Sequence, residues 1–302
     1  MNNSTKLIIF LIVPGLLGCS VLSRGFARSQ TDGGPNSQVY KSVGGARLAL
    51  NIYEDPKSKG NKLRPAIVFF SGGGWSSGST KQFEAHARYF ASRGMVAITA
   101  DYRVRSRHQS QIKDSVSDAR SAIRWVRANA KRLGVDPNKI ASAGGSAGGH
   151  LAACTATISE FDAPGEDKSV SAVPNALVLF NPALVLASLP GFDIKSVRAA
   201  PNEAFLGAEA SKLSPAHHIK SGVPPTIIFH GHADETIPFQ TAKMFADRMK
   251  AEGNQCKLIG FPDQDHAFFN KEPFVKRTLV SADEFLGALG WLKGPPTFNA
   301  TK

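Results

Sequence analysis

Short apolar runs without alternation recur along the chain at Ala66 to Phe70, Met95 to Thr99, Ala176 to Phe180 and Thr226 to Phe229. A strand covered by helices on both faces reads this way, because it has no solvent side to alternate toward. Helical spacing fills the gaps. The clearest case runs through Ile112, Val116, Ala119, Ile123, Val126, Ala130 and Leu133, with Lys131 and Arg132 in the last turn and Gly134 as the stop. That pattern predicts an amphipathic helix with one face on the core. Further helices are expected over Phe239 to Ala251 and Leu279 to Leu292. Strands and helices alternate through most of the chain, so the expected class is α/β, a mostly parallel twisted sheet with helices on both faces.

The first segment follows another pattern. Lys6 precedes an apolar stretch from Leu7 to Leu17, broken by Pro14 and Gly15 and followed by Gly18 and Cys19. It is too short for a mature membrane anchor and has the layout of an export signal over residues 1–18. Leu16, Leu17, Gly18 and Cys19 resemble a bacterial lipobox, in which the cysteine becomes the lipidated first residue. An ordinary secretory signal is the alternative. Residues 19–38, rich in Ser, Gly, Arg and Gln, are expected to form a flexible spacer ahead of one domain over 39–294, with 295–302 as a tail. The chain is therefore expected outside the cytoplasm, either tethered to a membrane through Cys19 or free.

Composition excludes several classes. Of 302 residues 42% are hydrophobic and 20% charged, enough for a sizeable core, and the 28 Gly and 18 Pro follow no period. Disorder, collagen, coiled coils and repeat arrays are thereby set aside. The net charge of +12 is spread along the chain, so no nucleic-acid partner is expected. Cys154 and Cys256 do not make a disulfide framework, and Cys154 falls on a predicted buried helix as a free apolar thiol.

Candidate chemistry begins at Gly144, Gly145, Ser146, Ala147 and Gly148, a GxSxG sequence between the apolar run Ile140 to Ala143 and a helical stretch from His150. A sharp strand-to-helix turn strains the backbone and leaves room only for small neighbours, which fits Ser146 as a nucleophile. The alternatives are a glycine-rich loop with a solvated serine, or a phosphate cradle, and the cradle lacks its lysine. A serine hydroxyl needs a base and an orienting acid, which in this order come later in the chain. Asp234 lies in the loop after the run Thr226 to Phe229, and His266 in the loop after Lys257 to Phe261. Asp234 could instead be a loop cap, with Glu235 or Asp263 as the acid, and His266 a packed core histidine. Ser71, Gly72, Gly73, Gly74 and Trp75 follow another apolar run. Glycines there let backbone N–H groups turn toward a developing oxyanion, so Gly73, Gly74 and the amide of Ala147 are the expected donors; a flexible linker is the bland alternative.

Together GGGW at Gly72, DYR at Asp101 to Arg103, GGSAGGHLA from Gly144, HGHADETIPF from His230 and DHAFFN from Asp265 resemble an α/β hydrolase of the esterase and lipase superfamily over roughly Val39 to Gly294. The likeness is nearest to bacterial acetyl esterases of the hormone-sensitive lipase-like and the feruloyl or acetyl-xylan esterase groups. It implies the α/β hydrolase fold and hydrolysis of short-chain carboxylic esters through an acyl-enzyme without a cofactor or metal. Ser146, Asp234 and His266 carry over as the triad, and Gly73, Gly74 and Ala147 as the oxyanion hole. The family's commonest loop reads HGGGW, whereas this chain has Ser71, so that loop must be anchored otherwise. No large N-terminal cap is expected, because the first 36 residues are taken up by signal and spacer.

The pocket is then expected to be covered by segments 159–174 and 182–215, leaving an open cleft for short acyl groups on bulky alcohols, acetylated carbohydrates among them. Arg103, Arg105 and Arg107 follow a predicted strand end and would either receive a uronate or form a solvated basic loop. His150, His217 and His218 are read as pocket or packing residues. Three rivals stand beside an esterase. A prolyl oligopeptidase-type serine peptidase shares the triad order but needs propeller repeats. A metal hydrolase would use His230, His232 and Asp234, with Glu235 where its motif requires histidine. A non-catalytic module of the same fold would have a broken triad.

Overall fold

The computed structural model describes residues 36–58, 62–197 and 200–298, all within the unit Pro35–Lys302. The expected export signal and Cys19 lie outside the described residues. Every apolar run named above becomes a strand. In chain order the strands are β1 (Asn36–Val43), β2 (Ala46–Tyr53), β3 (Arg64–Phe70), β4 (Val96–Ala100), β5 (Val135–Gly145), β6 (Ala176–Phe180), β7 (Thr226–Gly231) and β8 (Cys256–Phe261). They form one sheet in the order β1-β2-β4-β3-β5-β6-β7-β8, with β3 to β8 mutually parallel and β1 and β2 antiparallel to their neighbours.

The β1–β2 hairpin is a feature that apolar runs alone did not predict. Its first strand starts at Asn36, so the last three residues of the expected spacer are strand. Gly44 and Gly45 make its turn, both at positive φ, the geometry that matches the natural twist of two short-linked strands. Ala46, Leu48, Leu50 and Ile52 of β2 are buried while Arg47, Ala49 and Asn51 face outward or lie at the margin, a period of two that marks a strand with one wet side.

The α-helices, again in chain order, are α1 (Glu84–Ser92), α2 (Arg105–His108), α3 (Ile112–Ala128), α4 (Ala130–Leu133), α5 (Ala147–Thr157), α6 (Glu203–Leu206), α7 (Phe239–Ala251) and α8 (Phe274–Ala288). Core residues of α3, α5 and α7 pack with Ala66, Val68 and Phe70 on one face of the sheet. Those of α1 and α8 pack with Ile67 and Phe69 on the other. The long helix expected from Ile112 to Leu133 is interrupted at Asn129, whose Nδ2 donates to Trp125 O at 2.9 Å in competition with the backbone. Helix α8 begins five residues earlier than the apolar pattern suggests, since it opens directly after Pro273, and Gly290 at φ 72 lies beyond its end.

Segment 159–174 does not cover the carboxyl rim of the sheet. It is tied to α3: Arg120 and Arg124 reach Asp162 at 2.8 and 2.9 Å, and Arg124 also pairs with Glu166. Strands β3, β5, β7 and β8 all run the same way, so the loops that follow them gather at one rim, where ligands bind in sheets of this kind.

Candidate active site

Strand β5 ends at Gly145 and α5 starts at Ala147, leaving Ser146 alone in the turn at φ 54 and ψ −120. Such a conformation costs about 1–3 kcal/mol for a residue with a side chain and persists only where neighbours over-determine it. Here Ser146 N–H donates to Phe180 O at 2.9 Å and Ser146 O accepts from His150 N–H at 3.0 Å. The last glycine of the motif is forced by close approach: a Cβ on Gly148 would lie 2.0 Å from Phe70 O. That contact brings α5 against the end of β3, where the triple-glycine loop begins.

The three loops meet. His266 Nε2 lies 2.9 Å from Ser146 Oγ, and His266 Nδ1 lies 2.7 Å from Asp234 Oδ2. A carboxylate only accepts, so Nδ1 carries the proton and the serine hydroxyl donates to Nε2. Asp234 is buried, and its Oδ1 accepts from Thr236 N–H at 3.0 Å and Ile237 N–H at 2.8 Å. Burial pulls its pKa upward, but donation from His230 and His266, the Ile237 amide and the His266 charge outweigh this and hold the carboxyl well below the usual range. Asp234 therefore stays ionised. Glu235 and Asp263 make no such contact.

The donor loop is anchored without a histidine at position 71. Tyr102 of the DYR segment donates its hydroxyl to Ser71 O at 2.7 Å, and Gly72 N–H donates to Gln82 Oε1 at 2.7 Å. Gly73 and Gly74 then take φ 122 and φ 59, values that a glycine adopts freely. Among the described residues no acceptor meets the N–H of either glycine, and both line the cavity that holds Ser146 and His266. Ala147 opens α5, where the first N–H groups have no partner within the helix.

That cavity measures about 410 Å³. One wall comes from segment 182–215, through Ala183, Val185, Leu186, Ile194, Val197 and Phe205; Phe269 adds an aromatic face. No residue of 159–174 contributes, contrary to expectation. The basic loop does not offer a three-arginine uronate site either. Arg103 is bound to Asp118 at 2.8 Å, Arg107 to Asp101 at 2.9 Å, and Arg105 lies over the Phe205 ring at 4.8 Å. His217 and His218 bond to Ser214, Ser188 and Ser211 and stay out of the cavity lining. Cys154 is buried and free, and burial pushes its thiol up.

Three supporting residues, Gln82, Tyr102 and Asn181, had no role in the sequence reading. Besides Gln82, Asn181 Oδ1 accepts from Ala267 N–H at 3.1 Å and pins the loop that carries His266. His230 donates from Nε2 to Ile237 O at 2.8 Å and lies 3.3 Å from Asp234 Oδ2. His232 packs against Phe239 with ring centroids 4.1 Å apart and the rings tilted by 42°. The HxHxD spacing therefore points its histidines at different partners, and among the described residues no group of three or more His, Cys, Asp or Glu side chains could hold a metal ion.

A parallel sheet with a strained serine between strand and helix, and an imidazole and carboxylate presented by later strand ends, defines an α/β hydrolase. The chain belongs to the BD-FAE family, whose model matches residues 50–249. It is 31% identical over 228 residues to esterase LipC of Mycobacterium tuberculosis, covering 70% of this chain and 55% of that protein. The chain thus spans little more than half the length of the curated relatives it matches. Thermogutta terrifontis esterase 2 phosphorylated by paraoxon superposes with a TM-score of 0.80 at 48% identity, covering 87% of this chain and 96% of that one. The butyrate-bound form of the same esterase gives a TM-score of 0.81 at 50% identity, covering 87% and 97%.

Proposed function

We propose that this chain is a carboxylic ester hydrolase that cleaves short-chain acyl esters through an acyl-enzyme on Ser146. The observation that carries this is the unbroken run of contacts from Ser146 Oγ to His266 to Asp234, opening on a cavity edged by Gly73 and Gly74. Ser146 Oγ attacks the ester carbonyl while its proton passes to His266 Nε2, and the ionised Asp234 stabilises the imidazolium. Negative charge on the carbonyl oxygen is received by the amides of Gly73, Gly74 and Ala147. The C–O bond to the alcohol breaks, and the alcohol leaves with the proton from His266. Water, giving a proton to the same nitrogen, then releases the acid and restores Ser146.

Support for a short acyl group comes from the butyrate-bound relative and from a small cavity with an aliphatic wall. That wall favours an apolar or aromatic alcohol, so acetylated carbohydrate is the weaker part of the proposal. Export and lipidation at Cys19 are proposed on the sequence alone; among the described residues no helix is long and apolar enough to cross a membrane. The test is paired. Paraoxon should add one phosphoryl group to the protein, located on Ser146 by mass spectrometry, and Ser146→Ala should neither take the label nor hydrolyse p-nitrophenyl butyrate. A Ser146→Ala enzyme with full turnover would overturn the proposal, and a panel with acetylated xylan and a feruloyl ester would place the alcohol.

A further inference from the structure

The loop that presents Gly73 and Gly74 ends in a residue that cannot hold its shape alone. Trp75 sits at φ 55, the third successive position in the positive region, and for a bulky side chain that costs of order 1–3 kcal/mol. Its backbone is fixed by one contact, Trp75 O accepting from Arg105 N–H at 3.0 Å. Its side chain is fixed by another. The indole Nε1–H donates to His150 Nδ1 at 3.1 Å, with the two rings edge to face at 5.1 Å and 88°.

An indole only donates, so His150 must accept at Nδ1 and carry its proton on Nε2. Leu213 O waits there at 2.7 Å, with Cys154 Sγ at 3.2 Å. Burial pushes the pKa of His150 down to about 4, partly opposed by the bond to Leu213 O, so the ring is neutral in the ordinary pH range. His150 is fully buried, one turn into α5 from Ser146, and does not line the cavity. One ring thus joins three parts: the donor loop through Trp75, the serine helix through its own backbone, and the end of segment 182–215, which walls the cavity, through Leu213.

We propose that His150 is a positioning residue for the reaction at Ser146: held as its Nε2–H tautomer, it fixes Trp75 and thereby aims the Gly73 and Gly74 amides, while tying the cavity wall to the serine helix. It takes no part in proton transfer. The inference rests on the proposed ester hydrolysis, because only a reaction with a developing oxyanion makes those amides matter.

The test is steady-state hydrolysis of p-nitrophenyl butyrate by the full chain and the variants His150→Leu, His150→Asn, Trp75→Phe and the Trp75→Phe/His150→Leu pair, each checked for a cooperative melt. Because losing an oxyanion donor costs about 10²–10³ in rate, a misaimed loop in His150→Leu should lower kcat about 10- to 100-fold. KM should stay within about threefold, as expected when an interaction is made chiefly in the transition state. Asn Oδ1 falls near the place of Nδ1 and can accept from the indole, so His150→Asn should recover most of kcat. Trp75→Phe should match His150→Leu, and the pair should add little, since both remove one interaction.

A folded His150→Leu with unchanged kcat, a loss carried by KM alone, or losses that multiply in the pair would overturn the proposal. If His150→Leu does not fold, Trp75→Phe with full kcat overturns it. Ser146→Ala in the same assay separates the two levels. Its retaining turnover sinks ester hydrolysis at this site, whereas its inactivity beside full kcat in His150→Leu and Trp75→Phe sinks only the role of His150.

Discussion

His86 lies on α1 with 1% of its surface exposed, and neither ring nitrogen has a hydrogen-bond partner. Its neighbours are the rings of Phe83, Phe180, Phe69 and Phe269, with centroids 5.0, 5.5, 6.1 and 6.3 Å away. A Cβ on Gly145 would lie 2.5 Å from Phe269 and 3.3 Å from Phe83, so this cluster is the floor beneath Ser146. Burial pushes the His86 pKa from 6.5 down to about 4. Because the folded value is depressed, the unfolded chain takes up the proton first, so the contribution to stability is present in full above about pH 6.5 and is lost as pH falls toward 4. At 1.36 kcal/mol per pKa unit, that loss reaches about 3 kcal/mol. His150, also lowered to about 4, adds a loss of the same sign. His86→Phe keeps a ring in place and removes the titration. In urea unfolding, its stability relative to the parent should improve by about 2 kcal/mol between pH 7.5 and pH 4.5. Any offset from the larger ring, about 1–3 kcal/mol where a core is overfilled, should be common to both pH values. Parallel loss of stability by the two proteins across that interval would refute the reasoning.

Asp234→Asn should lower kcat about 10³- to 10⁴-fold, since the amide can present a donor to His266 Nδ1 and favour the wrong tautomer; steady-state kinetics on p-nitrophenyl butyrate would show it. Gly148→Ala places a methyl group 2.0 Å from Phe70 O and 2.5 Å from Ser71 O, so the end of β3 must shift, and thermal melts together with kcat should both fall. Asp162→Ala strips the shared carboxylate from Arg120 and Arg124, leaving the buried Arg120 guanidinium without an ion partner while Arg124 keeps Glu166, and should cost about 3 kcal/mol in urea unfolding. Its kcat should be preserved in the folded enzyme, because segment 159–174 does not line the cavity.

The parts of this molecule that were legible in sequence are those whose requirement is local. Ala176–Phe180 is apolar throughout because β6 is buried on both faces, and the pattern needs no knowledge of its neighbours. The β1–β2 hairpin was harder, since it pairs at the sheet's edge, and its Gly44–Gly45 turn and alternating β2 signal depend on a wet side. In the site, Ser146, Asp234 and His266 could be named because each sits in a loop that immediately follows a recognisable strand. Gln82, Tyr102 and Asn181 could not. Their partners are the Gly72 N–H, the Ser71 O and the Ala267 N–H, at separations of 10, 31 and 86 residues, and a contact from side chain to backbone leaves no mark on the identity of the residue contacted. The same reason explains why the cavity wall was assigned to two segments when one supplies it. Segments 159–174 and 182–215 both lack long periodic elements among the described residues, where the second holds only the four-residue α6 and single 3-10 turns. What separates them is Arg120 and Arg124 on α3, which draw the first segment away through Asp162 and Glu166. The second segment supplies one wall of the cavity and is tied to the serine helix through Leu213 O and His150. A change at His150 should therefore reach the Gly73 and Gly74 loop through Trp75 without touching the triad.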